Sequence, residues 1–356
     1  MTTPDGTSAE RGVVNSNAAR TPTARLALGH YPTPVQRLGG LCAPGCELWV
    51  KRDDQTNREY GGNKVRKLEW VLGDARARGV ARIVTVGGAG SHHVLATTHF
   101  AKQIGIAVEA VLVPQPASEH AALVLRASQA QGVRAFRVRS WAAAAPVLAW
   151  RMATGAHFVP LGGSSFLGSM GYVDAARELA GQVRTGALPE PDVCVVPLGS
   201  GGTAAGLAAG FEAERLRTRV VGVCVASPAW ASRVASLWLA RACAKKVGVA
   251  RPLAAVRARL SADTRFIGAG YGHPTQDGEA ATDLARAEGL VLDPTYTAKA
   301  FACALWHVHS RAAPNILYWH TLSSAPMEPL LGPPSLAPVA PQSLPQSLPN
   351  RSMMTR

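Results

Sequence analysis

Between about residues 26 and 331, short apolar runs alternate with helix-patterned segments, and glycine-bearing turns join them. This alternation constrains the fold more than any other feature. Apolar runs are expected as strands at 48–51, 82–86, 108–113, 158–160, 193–197, 220–225, 290–292 and 315–319. Helices are expected at 63–78, from the 87–93 loop to 103, at 118–131 and 141–154, from the 199–203 turn to 215, and at 279–288 and 297–309. The first is typical: Val65, Leu68, Leu72 and Ala75 fall at helical spacing, and Gly79 closes the run. Strands with near-continuous apolar sequence, each followed by a helix, imply a mainly parallel sheet covered on both faces. The expected architecture is α/β in two domains, with twisted, mainly parallel sheets. Residues 25–67 and 175–331 would form a large domain and residues 68–174 a small one. The polar stretch 1–24 and the Pro/Ser-rich stretch 332–356, which repeats Gln-Ser-Leu-Pro, are expected to be disordered.

Composition narrows the class of function. The 356 residues are 47% hydrophobic and 17% charged, enough apolar material for two cores. The net charge of +14 comes largely from arginines spread along the chain, with no basic block and no aromatic interleaving. Nucleic-acid binding is therefore not expected, and a basic surface that attracts an anionic cofactor or substrate is. No apolar run approaches membrane-spanning length and no secretory signal is recognisable, so a cytoplasmic protein with no membrane partner is expected. The six cysteines read as small core residues; Cys42 and Cys46 lack a second pair at ligand spacing, so no metal is expected.

Three segments carry chemistry. Lys51-Arg52-Asp53-Asp54, then Gly61-Gly62-Asn63-Lys64, delivers a lysine at the start of a helix after a tight turn. The positive helix end, Arg66 and Lys67 all lower the pKa of Lys64 towards a nucleophilic amine, as Schiff-base chemistry requires. Gly199-Ser200-Gly201-Gly202-Thr203 lies between a buried strand and a helix, an anion site built from backbone N–H groups. It is neither a Walker sequence nor a dinucleotide fingerprint, and alone it indicates a phosphate. The third segment pairs Gly268–Thr275 with the run Asp293-Pro294-Thr295-Tyr296-Thr297-Ala298-Lys299-Ala300.

In this order, and together with Tyr31-Pro32-Thr33-Pro34, Leu161-Gly162-Gly163-Ser164 and Gly171-Tyr172-Val173, these segments resemble a known family. It is that of the D-cysteine desulfhydrases and 1-aminocyclopropane-1-carboxylate deaminases, within the fold type II, tryptophan-synthase-β-like pyridoxal-phosphate enzymes. The resemblance implies pyridoxal 5′-phosphate on Lys64 as a Schiff base, with Lys64 also moving the substrate proton. It implies Asn63 and Lys67 beside the cofactor, Lys67 towards its phosphate, and Gly199, Ser200, Gly201, Gly202 and Thr203 as the phosphate cradle. Ser91, His92, His93 and Gly163 fall at substrate-binding positions, with Ser91 the family's active-site serine. Tyr271 and Tyr296 match the catalytic tyrosines of the substrate pocket. Thr297 matches the residue facing the pyridine nitrogen, where the deaminases have Glu and desulfhydrase-like members Thr.

The implied reaction is β-elimination from a small amino acid, D-cysteine giving pyruvate, ammonia and sulfide, in a homodimer. Two departures stand out. Gly90-Ser91-His92-His93 replaces Gln-Ser-Asn-His, which puts His92 beside the cofactor's 3-hydroxyl and leaves Leu95 near the place of an Arg. His320-Thr321-Leu322-Ser323 replaces His-Thr-Gly-Gly. The rival readings are a cyclopropane-opening deaminase, a divergent β-replacing or racemising pyridoxal-phosphate enzyme, and a non-enzymatic cofactor-binding scaffold.

Overall fold

The computed structural model describes residues 25–332, so the expected disordered arms, Gly332 apart, lie outside the described residues. Among the described residues, ten strands form two sheets. In chain order they are β1 (Val35–Arg37), β2 (Glu47–Lys51), β3 (Arg82–Gly88), β4 (Ala107–Val113) and β5 (Arg134–Arg137). Then come β6 (His157–Val159), β7 (Val193–Leu198), β8 (Arg219–Cys224), β9 (Leu260–Asp263) and β10 (Asn315–Trp319). The larger sheet has the order β1-β2-β10-β7-β8-β9, and the smaller β5-β4-β3-β6. Every pairing is parallel except the antiparallel β1–β2 edge.

The helices are α1 (Asn63–Ala77), α2 (His92–Gln103), α3 (Glu119–Ala130), α4 (Trp141–Ala153) and α5 (Phe166–Arg184). They continue with α6 (Gly202–Ala213), α7 (Ala229–Lys246), α8 (Pro252–Arg259), α9 (Gln276–Ala287) and α10 (Thr297–His309). Strand periodicity explains why the apolar runs are continuous. Val193, Val195, Ile316 and Tyr318 point to one face of the large sheet and pack with Phe301, Leu305 and Ala285. The intervening Cys194, Val196, Leu317 and Trp319 point to the other and pack with Leu179, Leu207 and Phe211. Both faces are buried, so neither set can be polar. The small sheet repeats the pattern: Ile83 packs with Leu72 and Phe100, while Val84 and Val86 pack with Ala144 and Val147.

One expected strand is absent. Residues 290–292 form an extended loop with no strand partner; Leu290 is buried against α9 and α10, whereas Val291 is exposed. Leu290 and the half-buried Leu292 reach the core without any ladder. The motif Gly171-Tyr172 is structural. A Cβ on Gly171 would lie 2.1 Å from the Arg66 carbonyl oxygen, so only glycine lets α5 approach α1 this closely. Tyr172 then reaches through that contact and donates to Asp53 at 2.8 Å.

Candidate active site

Strands β3, β4, β7 and β10 all end at one cavity of 340 Å³, where Ser91, Pro114–Pro116, Gly199 and Thr321 follow them. Parallel strands leave their carboxyl ends together, and the loops that follow supply a site from several parts of the chain. The cavity is lined from both sheets.

Lys64 sits in the first turn of α1. The turn before it is held from outside: Asn63 N–H donates to the Thr321 carbonyl at 3.0 Å, and Gly61 N–H to Ser323 Oγ at 2.8 Å. The departure at Leu322-Ser323 is thereby accommodated, since the serine hydroxyl anchors the Gly-Gly turn. Lys64 Nζ donates to Asn63 Oδ1 at 2.7 Å. Burial pushes the Lys64 pKa down to about 8, only partly opposed by Asp293. Lys67, one turn on, donates to the Gly162 carbonyl at 3.2 Å and to Ser164 Oγ at 3.1 Å. Burial and then the Lys64 charge hold its pKa well below the ordinary value.

Two amines, the buried Lys67 and the half-buried Lys64, thus face the cavity with neutral hydrogen-bond partners. Beside them begins α6, whose preceding Gly201 takes a φ of +88° that side chains rarely adopt. Ser164 Oγ ties the two together: it accepts from Lys67 Nζ and from Gly202 N–H, and lies 2.7 Å from Ser200 Oγ. Asn63 reaches the same turn through Thr203 Oγ1 at 3.1 Å. A helix N-terminus and two poorly compensated lysines make a site for a dianion, since an isolated buried charge is costly. The residues present fit a phosphate-bearing group with an aldehyde within reach of Lys64.

The opposite wall comes from the start of α10. Asp293 accepts from Tyr296 N–H at 3.1 Å and Thr297 N–H at 3.3 Å, so this carboxylate, and not Thr297, caps the helix. Thr297 is itself the first helical residue and lines the cavity; its Oγ1 accepts from Asp293 N–H at 2.6 Å and donates to the Asp293 carbonyl at 3.3 Å. Burial raises the pKa of Asp293. Tyr271 and Tyr296 meet edge to face, 5.6 Å between ring centres.

Of the residues singled out in the sequence, Asn63, Lys64, Lys67, Ser91, His92, His93, Gly199, Ser200, Gly201, Thr203, Tyr271, Tyr296 and Thr297 line the cavity. Gly163 and Gly202 do not. Gly163 is buried behind Lys67 and His93, its neighbour Gly162 lining instead, and the Gly202 N–H is taken by Ser164. Ser91 Oγ accepts from Val94 N–H at 3.4 Å as the cap of α2. The His93 ring lies 2.9 Å from Thr85 Oγ1 and 3.3 Å from Thr97 Oγ1. Burial, then the charges of Lys64 and Lys67, keep it neutral. The sequence reading assigned no role to Tyr60, Gln115, Ser164 or Asp293, which the fold brings to the same site. Ser164 and Asp293 stand inside motifs that drew attention; nothing in the sequence marked Tyr60 or Gln115.

The family model described as pyridoxal-phosphate dependent enzyme matches residues 26–321. D-cysteine desulfhydrase of Yersinia pestis (strain Pestoides F) is 33% identical over 322 residues, covering 83% of this chain and 96% of the relative. Nocardicin C-9′ epimerase of Nocardia uniformis subsp. tsuyamanensis is 34% identical over 319 residues, covering 87% and 95%. The solved structure of an ACC deaminase homologue superposes with a TM-score of 0.72 at 28% identity, covering 85% of this chain and 93% of that one. Among the described residues no helix is long and apolar enough to cross a membrane.

Proposed function

The chain belongs to the pyridoxal-phosphate-dependent enzymes of fold type II, in the superfamily of ACC deaminase and D-cysteine desulfhydrase, and from that premise we propose that it catalyses β-elimination on a small amino acid such as D-cysteine, releasing pyruvate, ammonia and sulfide. When bound, pyridoxal phosphate supplies an electron sink for negative charge at the substrate α-carbon. The chain's own residues do the rest. Lys67, the N-terminus of α6 and the Gly199–Thr203 turn would hold the phosphate. Lys64, whose pKa of about 8 leaves about a tenth of it as free amine at pH 7, is the amine that would carry the cofactor and take the α-proton. Tyr271 and Tyr296, with hydroxyls kept protonated because burial raises their pKa values, are donors to a departing group. Thr297 offers a hydroxyl where a cyclopropane-opening deaminase would present a carboxylate, and this observation carries the choice of elimination.

Epimerisation at the same α-carbon is the second reading, favoured by the likeness to the Nocardia epimerase. Incubation of the loaded protein with D-cysteine and with a panel of D- and L-amino acids separates the two. Pyruvate and sulfide release supports elimination; inversion of configuration without ammonia release replaces it.

Two sets of substitutions test the residue roles. Lys67→Met removes a charge with little change of shape, and Gly201→Asp adds a negative one at a strained position. Each should weaken pyridoxal-phosphate affinity at least about tenfold, or ~1.4 kcal/mol, in an absorbance titration. Unchanged affinity in folded Lys67→Met would move the phosphate elsewhere. Thr297→Ser keeps the hydroxyl and should keep the spectrum and products of the loaded enzyme. Thr297→Asp should shift the absorption band and raise turnover of 1-aminocyclopropane-1-carboxylate relative to D-cysteine; identical spectra and product ratios in both variants would discard the assignment.

A further inference from the structure

Tyr60, His92 and His120 form a continuous hydrogen-bonded row that begins in the cavity and ends outside it. Tyr60 Oη lies 2.5 Å from His92 Nδ1, and His92 Nε2 lies 2.7 Å from His120 Nε2. Tyr60 and His92 line the cavity; His120, at the start of α3, does not, and it is partly exposed. The row is assembled from three separate places, the turn before α1 and the first turns of α2 and α3. His92 is also where the chain departs from the Asn of the family it resembles.

A 2.7 Å contact between two ring nitrogens requires one N–H and one lone pair. Neutral rings allow two arrangements. In the outward one, Tyr60 donates to His92 Nδ1, His92 Nε2–H donates to His120 Nε2, and His120 carries its proton on Nδ1. In the inward one, His120 Nε2–H donates to His92 Nε2, His92 Nδ1–H donates to Tyr60 Oη, and the Tyr60 proton turns to the cavity. The two differ only by one step of every proton along the row.

We propose that Tyr60, His92 and His120 are a proton relay that exchanges protons between the cavity of Lys64 and solvent. In the outward step, a proton leaving the cavity joins Tyr60 Oη and the Tyr60 proton moves to His92 Nδ1. The His92 Nε2 proton moves to His120 Nε2, and the His120 Nδ1 proton leaves to water. The inward step is the reverse, and only O–H and N–H bonds change. The setting suits a conductor that never stores charge: burial, with His120 and Lys64 close by, pushes the His92 pKa down to about 3. Asp293, across the cavity, sets a carboxyl within electrostatic reach of both His120 and Lys64. Tyr60 and His92 are the members that face the reacting atoms; His120 acts through His92. The role of the relay rests on the reading of the cavity as the place where an α-proton is moved.

The test has two arms on the full-length protein. In ¹⁵N-labelled protein, a ¹⁵N–¹⁵N coupling across the hydrogen bond should join His92 Nε2 to His120 Nε2. In the second arm, loaded protein is incubated in D₂O with D-alanine and L-alanine, which have no β-leaving group, and deuterium at the α-carbon is measured. His120→Ala should lower wash-in at least about tenfold, with pyridoxal-phosphate affinity unchanged, and imidazole added to the buffer should restore it. His120→Gln, which keeps a hydrogen bond to His92 and cannot pass a proton, should show the same loss without rescue. The relay is overturned by absence of the coupling, by unchanged wash-in in the variants, or by a loss in His120→Ala that imidazole leaves in place. Absence of wash-in in the unmodified enzyme overturns the reading of the site and the relay's role with it, and in that event the coupling is still observed.

Discussion

A Lys64→Ala variant should fold as the parent does and lose turnover by about 10⁴-fold or more, because one amine is asked both to carry the cofactor and to take the α-proton. Folding should not suffer. Lys64 is a half-buried amine whose one hydrogen-bond partner among the described residues is the neutral Asn63 side chain, so its removal relieves a desolvation cost and Tm should stay level or rise. Borohydride reduction of the loaded wild-type protein should fix the cofactor mass on the peptide that contains Lys64. Label on Lys67, the other amine at the cavity, would exchange the two assignments. The pH dependence of loading is a second check. An ordinary lysine, with a pKa of 10.5, is almost wholly ammonium at neutral pH, whereas Lys64 loses its proton at about 8. Below that value the free amine falls about tenfold per pH unit, so the rate of cofactor attachment should climb with pH and level off above about 8. A rate still climbing steeply towards pH 10 would mean that Lys64 is solvated, or that another lysine is being modified.

How much of this is legible in the sequence depends on where the information lies along the chain. Lys64, Lys67 and the 199–203 turn are contiguous motifs, and a helix start or a glycine-rich turn carries its meaning locally. The strands were legible because burial of both faces makes them continuously apolar, as in β7 with its Val-Cys-Val-Val. Helix α5 was not, although it is 19 residues long. Gly168, Gly171 and Gly181 weaken its propensity, and at Gly168 and Gly171 the reason is tertiary: a Cβ would strike the Gly163 or the Arg66 carbonyl. Residues 290–292 erred the other way, since Leu290 and Leu292 need only a core to pack against. The histidine row was invisible because Tyr60, His92 and His120 come from the turn before α1 and the first turns of α2 and α3, and no spacing rule connects them.

Asp53→Ala should be among the most damaging substitutions in the chain, although Asp53 touches neither lysine of the cavity. Its carboxylate, fully buried, accepts from Arg66 Nε at 2.9 Å and Nη2 at 2.8 Å, Thr33 Oγ1 at 2.9 Å, Tyr172 Oη at 2.8 Å and Trp319 Nε1 at 2.7 Å. These donors come from the chain before β1, from α1, from α5 and from β10, so one side chain joins four elements behind the Lys64 turn. Glu178 extends the network, accepting from Arg66 Nη1 at 2.9 Å and Lys51 Nζ at 2.5 Å. Removing one member of a buried ion pair strands the other in a low-dielectric interior at a cost of about 3–5 kcal/mol. For a chain of this size that corresponds to a Tm lower by roughly 4–7 °C. The double variant Asp53→Leu with Arg66→Met should recover part of the loss, because an apolar pair leaves fewer groups unpaired. The sign of the acid response follows from the same contacts. Burial alone would raise the Asp53 pKa, but Arg66, Lys51 and the Trp319 N–H outweigh it and hold the carboxyl below its ordinary value. Glu178 is held down in the same way, by Arg66 and Lys51 against burial. A depressed folded-state pKa contributes stability that is complete above the unfolded value, about 4 for these carboxyls, and is lost as pH falls through the folded value. Urea midpoints measured from pH 6 downward should therefore fall steeply below about pH 4 in the wild type. In Asp53→Asn the midpoint should start lower and fall less steeply over that window, and parallel curves for the two proteins would show that Asp53 is not a principal source of the acid sensitivity.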